Sequence, residues 1–146
     1  MRRSLIPMAL AAIMFSTTTN ASELWGAYVE AGEYWEEGEV NGWSWNFDTI
    51  EGAVERAMDE CMRYDLCITK GPHKIHAFTS SRSESVDEWI YLDSYGQLDV
   101  YIIAHRCMAF DWGDGDYREL YGDSEYEVID QFSYPEYIEE VVCNDW

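Results

Sequence analysis

Basic residues are scarce in this chain. Lys and Arg number 9 against 29 Asp and Glu, so the 146 residues carry a net charge of −20. Nucleic acid and anionic lipid are repelled by such a field. A basic protein is attracted instead. The charge also has a simpler explanation, because a large net charge keeps an exported protein soluble.

The motifs that often carry enzyme chemistry are absent as well. The sequence has no Gly-rich phosphate loop and no Gly-x-Ser-x-Gly nucleophile elbow, and Ser80 and Ser81 stand in an ordinary polar segment. Acidic residues are so frequent that a pair suited to glycoside hydrolysis would arise by chance. We therefore predict a protein that is not an enzyme. A small hydrolase with paired carboxylates is the catalytic alternative.

Metal-ligating residue types are present, but they do not follow a metal-binding pattern. Four acidic side chains in one Gly-containing segment resemble a calcium site in composition, although their spacing fails the EF-hand pattern. His73 and His76 would point to opposite faces of a strand, and the cysteines match no paired zinc pattern. We predict no metal and no cofactor, with calcium in the acidic segment left open. The four acidic residues are Asp111, Asp114, Asp116 and Glu119.

Long hydrophobic runs are also missing. The apolar residues 5–15 are too few to span a bilayer, they follow Arg2 and Arg3, and small residues precede a cleavage point after Ala21. We predict a signal peptide at 1–21 and one domain at 22–146. Cleavage removes two basic residues and no acidic one, which changes the net charge from −20 to −22. The predicted location is the periplasm or the exterior of a Gram-negative bacterium.

Four cysteines lie in the predicted exported part, where the compartment is oxidising. We therefore expect two disulfides. Three pairings are possible, and we favour Cys61 with Cys67 because these two residues are close along the chain. Cys107 then pairs with Cys143, which would tie the end of the chain to the core.

The clearest local pattern is a strand that leads into a helix. Trp43, Trp45 and Phe47 alternate with small or polar residues, so the three rings share one strand face. Asp48 is the predicted N-cap of a helix, and Glu51 follows three residues later. Apolar residues then recur at the three-and-four spacing of one helical stripe. The stripe consists of Ile50, Ala53, Val54, Ala57, Met58, Cys61 and Met62.

The rest of the chain predicts an α+β fold: an antiparallel sheet of about five strands packed by one main amphipathic helix, disulfide-stabilised, with a short C-terminal helix. Ser133 and Glu136 would cap that last helix, which would continue through Val142. An acidic loop is expected over residues 111–125. Strands are expected at 22–34, 40–47, 66–69 with its continuation at 75–79, 88–92 and 98–110, and residues 126–132 would add an edge strand.

Several short motifs resemble the small exported bacterial domain of unknown function 4189 (DUF4189). They are WGAY at 25–28, GWSWNF at 42–47, a helix ending in AMDEC at Cys61, a second cysteine, and CMAF at 107–110. The resemblance covers about residues 25–110 and implies a compact exported α+β domain held by disulfides. It implies no catalytic residues. The chain differs from the family pattern in its acidity and in residues 79–99.

The seven tryptophans exceed what one small core can bury. We predict that Trp43, Trp45 and Trp89 are core residues and that Trp35 and Trp112 contact a partner, together with the four acidic residues at 111–119. Our preferred hypothesis is an exported acidic binding protein, such as an inhibitor or immunity protein that blocks a basic cell-wall hydrolase or toxin. A structural or glycan-binding module of the envelope is the alternative. The oligomeric state is left open.

Overall fold

The computed structural model describes residues 23–33, 38–111, 118–132 and 140–145, and these residues form eight strands and three helices. The predicted signal peptide lies outside this range. In chain order the elements are β1 (Trp25–Ala31), β2 (Val40–Phe47), α1 (Ile50–Cys61), α2 (Asp65–Lys70), β3 (Lys74–Phe78), β4 (Val86–Leu92), β5 (Gly96–Ile103), β6 (Cys107–Asp111), β7 (Arg118–Gly122), α3 (Glu125–Ile129) and β8 (Val141–Cys143).

Five strands form the main sheet in the order β2-β1-β3-β5-β4. All neighbouring strands are antiparallel except β3 and β5. After β3 the chain crosses to the edge strand β4 and turns back through a hairpin into β5, which runs parallel to β3. Gly96, at a φ of 76°, provides the left-handed residue that this hairpin needs. The predicted α+β class, the five-stranded sheet and the hairpin are therefore confirmed.

Helix α1 covers one face of this sheet. Its buried residues are those of the predicted stripe, including Ala53, Val54 and Ala57. The N-cap is Thr49 rather than the predicted Asp48, since the Thr49 hydroxyl accepts a hydrogen bond from the Gly52 N–H at 3.0 Å. The two residues are adjacent and both are good caps, so sequence alone did not separate them. The layer between α1 and the sheet is the larger core of the protein.

Strands β7, β6 and β8, in that order, form a second sheet that packs on the other face of the main sheet. The apolar contact between the sheets consists mainly of Tyr28, Phe78, Ile103, Met108 and Val142. We predicted one strand over residues 98–110, and this prediction is wrong. The chain leaves the main sheet after Ile103, because Asp123 accepts a hydrogen bond from the Arg106 N–H and holds the connection to β6.

Four other local predictions also need correction. Residues 66–69 belong to α2 instead of a strand, and residues 126–129 belong to α3 instead of an edge strand. Strand β7 occupies part of the expected acidic loop. Residues 141–143 form β8, where we expected the end of a helix. The residues that would cap that helix, Ser133 and Glu136, lie outside the described range, and the short helix of the C-terminal part is α3.

Two disulfides form with the favoured pairing, one within the helical layer and one within the second sheet. Cys61 bonds to Cys67 and joins the end of α1 to α2. Cys107 bonds to Cys143 across directly paired positions of β6 and β8. Among the described residues, no helix is both long enough and apolar enough to cross a membrane.

Candidate functional site

The outer half of the main sheet has a face that no described element covers. We call it the open face and define it by five residues of β4 and β5. The side chains of Trp89 and Tyr91 are 64% and 67% exposed, and Tyr101 is also exposed. Asp87 pairs with Tyr101 and Trp89 pairs with Asp99 across the two strands, so aromatic rings and carboxylates alternate over the surface. The open face consists of Asp87, Trp89, Tyr91, Asp99 and Tyr101.

Strand alternation explains why these side chains point outward. Ile90 and Leu92 of β4 are buried in the core beneath α1, as are Val100 and Ile102 of β5. Neighbouring residues of a strand lie on opposite faces, which leaves Trp89, between Ile90 and Glu88, on the far side. The apolar residues of this hairpin face α1. The aromatic residues at the alternate positions therefore face the opposite side, in solvent.

A polar cluster marks the border between the open face and the second sheet. The rings of His76 and Tyr101 meet edge to face, with centroids 5.5 Å apart. Lys74 Nζ lies 3.0 Å from Glu119 Oε1, and His76 Nδ1 lies 3.3 Å from the same oxygen. His76 Nδ1 and Glu119 Oε1 lack hydrogen-bond geometry, so the two side chains are in contact without a hydrogen bond. Through His76 the cluster places one cation and one anion near Tyr101.

The titration of this cluster follows from its burial. Burial lowers the pKa of His76, although the carboxylate of Glu119 acts in the opposite direction. Tyr121 donates a hydrogen bond to Glu119 Oε2 at 2.9 Å. Burial, reinforced by the negative charge of Glu119, raises the pKa of Tyr121. At neutral pH the border therefore contains a neutral imidazole and a neutral phenol next to the ion pair of Lys74 and Glu119.

A second cluster of titratable side chains surrounds the buried carboxylate of Glu30. It lies on the face of the main sheet that also carries the open face. Tyr28 donates to Glu30 Oε1 at 2.5 Å, and His73 Nε2 lies 2.7 Å from Glu30 Oε2. Glu39 also shares a side-chain hydrogen bond with Glu30, and burial followed by the charge of Glu30 raises the pKa of Glu39 to about 7. Two carboxyl groups can bond in this way only when one of them is protonated.

The predicted site residues have mixed outcomes. Glu119 lies in the polar cluster beside the open face. Asp111 ends β6, but its side chain lies outside the described range, as do Trp35, Trp112, Asp114 and Asp116, so the contact role predicted for these five stays a prediction.

Two of the three tryptophans predicted to be core residues are in solvent. Trp43 is half-buried against Tyr28 and Phe110, whereas Trp45 and Trp89 are exposed. The prediction for Trp45 and Trp89 is therefore wrong. Part of the signal for Trp89 was in the sequence, because Ile90 and Leu92 occupy the opposite face of its strand.

The arrangement on the open face is suited to recognition of cations. Faces of Trp and Tyr rings attract ammonium and guanidinium groups, and a neighbouring carboxylate adds a direct charge contact. Within the described ranges, no three His, Cys, Asp or Glu residues are grouped so that they could hold a metal ion.

Comparison with known proteins adds no assignment. The chain matches no family model, no curated protein and no solved structure. The resemblance to DUF4189 therefore stays a prediction, and the function has to be argued from the geometry of the molecule.

Proposed function

We propose that this protein is an exported, acidic, non-enzymatic binding protein whose open face takes a basic protein. Inhibitors and immunity proteins directed against cell-wall hydrolases or toxins belong to this class. The observation that carries the proposal is the open face, where Trp89, Tyr91 and Tyr101 stand in solvent between Asp87 and Asp99. Aromatic patches exposed on a folded domain commonly mark a contact surface.

The chemistry of the face favours a cationic partner over other proteins. Trp and Tyr are enriched at the energetic centres of interfaces, where their rings bury large areas at little entropic cost. Each Lys or Arg over such a ring contributes about 0.5–1 kcal/mol at an exposed site. The net charge of −20 adds long-range attraction, which raises the association rate of a basic protein and lowers that of an acidic one.

The rigidity of the scaffold supports the same proposal. The hairpin that carries the open face is fixed by the core under α1, and the protein has two disulfides. A surface that is already ordered loses less conformational entropy when it binds.

A glycan-binding module is the second candidate, and flat exposed rings such as Trp89 and Tyr91 are the observation that favours it. Sugar rings stack on such surfaces without a charge requirement. The two functions differ in their salt dependence, since association steered by charge slows as salt is raised and stacking hardly responds.

The test uses the chain from residue 22 as bait in a periplasmic extract. The wild type, the double variant W89A/Y91A and the control Y126A are compared at low salt. Tyr126 is a suitable control because it is 75% exposed but lies on α3, away from the open face. We expect the wild type and Y126A to retain a basic protein and the double variant to lose it.

The captured protein is then purified, and its association rate is measured at low and physiological salt. A steep fall in the rate of the wild type supports the proposal. Equal retention by all three baits, or retention of glycan without any basic protein, would refute it.

A further inference from the structure

A groove of about 520 Å³ follows the outer edge of β2, at the opposite end of the strand order from the open face. Six residues of β2 line it, and they include neighbours such as Trp43 and Ser44 that point to opposite faces of the strand. The groove therefore follows the edge of the strand and not one of its faces. Arg56, Glu60 and Tyr64, from α1 and the turn after it, form the other wall.

No strand of the described ranges occupies the backbone along this edge. Among the described residues β2 pairs only with β1, and no strand lies beyond it. One end is closed, because the N–H of Asn46 donates to Asn144 Oδ1 at 2.8 Å and the N–H of Asp145 donates to Asn46 Oδ1 at 2.6 Å. Edge strands of this kind present a row of donors and acceptors that matches an added strand.

The walls of the groove are held in place by close contacts between β2 and α1. A Cβ on Gly42 would lie 2.1 Å from the carbonyl oxygen of Ala57, so only glycine allows the helix to approach this closely. The Ser44 hydroxyl donates to the Ala53 carbonyl at 2.7 Å. Because the groove is already formed, an incoming segment would not have to order it.

The side chains at the rim indicate the chemistry of the occupant. Trp45 and Tyr64 are 48% and 51% exposed. Arg56 and Arg63 both pair with Glu60, since Arg56 Nη2 lies 2.7 Å from Glu60 Oε1 and Arg63 Nη1 lies 3.4 Å from Glu60 Oε2, so the rim itself is not negatively charged. The chain as a whole carries a net charge of −20, and two exposed rings in this long-range field favour a cationic side chain. A second copy of this chain would bring the same charge and be repelled.

We infer that β2 accepts an extended, cationic segment of a protein partner as an added strand, with a Lys or Arg side chain seated between Trp45 and Tyr64. Backbone hydrogen bonds to the β2 edge supply affinity, and the two rings select the cationic side chain. This surface shares no residue with the open face, so either proposal can fail without the other.

The probe is a short peptide of alternating Lys and Val, added to the ¹⁵N-labelled chain from residue 22. We expect the groove-facing amides of β2 between Asn41 and Trp45 to gain protection from hydrogen exchange, and the Trp45 indole signal to shift. W45A should weaken binding about fivefold through loss of the ring contact. Y126A should bind like the wild type, because Tyr126 lies on α3.

Two matched peptides separate strand pairing from general attraction. A Glu-Val peptide tests the charge, and the Lys-Val peptide with N-methylated backbone removes the donors but keeps the charge. We expect neither to protect β2. Equal protection by either peptide would overturn the inference. So would a saccharide probe, a chitin oligomer, that shifts the Trp45 signal when the peptide does not. A peptide-free dimer with protected β2 amides would also overturn it.

Discussion

The two faces of the β5–β4 hairpin differ although they belong to the same fifteen residues of strand. Toward α1 the hairpin presents Ile90, Val100 and Ile102, which are buried in the core. Away from α1 it presents Trp89 and Tyr91, which are in solvent. Stability and recognition can therefore be assigned to alternate residues of one strand. The inward set holds the sheet to the helix, and the outward set is free to contact another molecule.

The largest loss of unfolding free energy is expected when the disulfide of the second sheet is removed. This sheet packs on the same face of the main sheet that carries the open face. Cys107 and Cys143 are separated by 36 residues, and Cys61 and Cys67 by 6. On the loop-entropy model the C107S/C143S variant should lose about 4 kcal/mol of unfolding free energy and C61S/C67S about 2 kcal/mol. Urea denaturation measures both. Equal losses would show that the second sheet contributes no more than the local loop.

The next effect tests the inward face. Ile102→Ala should lower the unfolding free energy by about 3 kcal/mol, because it leaves a cavity in the core between β5 and α1. Urea denaturation again gives the value. Ile68→Ala is the matched control, since Ile68 is an exposed residue of α2 and its loss should cost less than about 0.5 kcal/mol. Similar losses for the two variants would contradict the assignment of the core.

A smaller effect should appear as a dependence of stability on pH. The pKa of Glu39 is raised from 4.5 to about 7, so the folded chain binds more protons than the unfolded chain between these values. Its contribution to stability is complete below pH 4.5 and is lost as the pH rises through 7. E39Q, which stays neutral, should therefore show a smaller fall in Tm from pH 5 to pH 8 than the wild type.

The control for this measurement is E84Q, at an exposed position in the loop before β4. It should follow the wild-type curve. An E39Q curve parallel to both would mean that the proton shared by Glu39 and Glu30 does not contribute to stability.

The smallest effect on stability is expected on the outward face. W89A/Y91A should change the unfolding free energy by no more than about 0.5 kcal/mol per residue, because neither ring is part of the core. The same variant should weaken binding of a basic partner at least about tenfold if both rings lie at the centre of the interface. Destabilisation comparable to that of Ile102→Ala would show that the rings belong to the core, and would contradict the difference between the two faces of the hairpin.

Strong local patterns predicted part of this fold. The stripe of α1 contains its buried residues, and the predicted strand at 40–47 matches β2. The prediction that its three rings share one face is wrong, because Phe47 packs in the core under α1 and Trp43 packs toward the second sheet. Sequence proximity gave one disulfide and, by elimination, the other. Two helices were missed for different reasons. Ile68 and Thr69 are β-branched and favour a strand. Ser124 followed by Glu127 is a helix-start pattern that was visible but unused: the Ser124 hydroxyl accepts from the Glu127 N–H, and the Glu127 carboxylate accepts from the Asp123 N–H.

The site was harder to predict than the fold. Alternation of Trp89 with Ile90 shows that they face opposite ways, but only the position of α1 decides which of them is buried. The groove beside β2 depends on strand order, and the break after Ile103 depends on Asp123, which lies 17 residues from Arg106 along the chain. Such long-range contacts leave no local pattern in the sequence.

The most direct test of the account is the indole N–H resonance of Trp89 in the ¹⁵N-labelled protein, assigned with W89F and followed as the captured basic protein is added. We expect this signal to shift or broaden with the bound fraction, and the signal of the buried Trp25 to do so far less. A Trp89 signal that stays unchanged at saturation would contradict the claim that the open face is the binding surface.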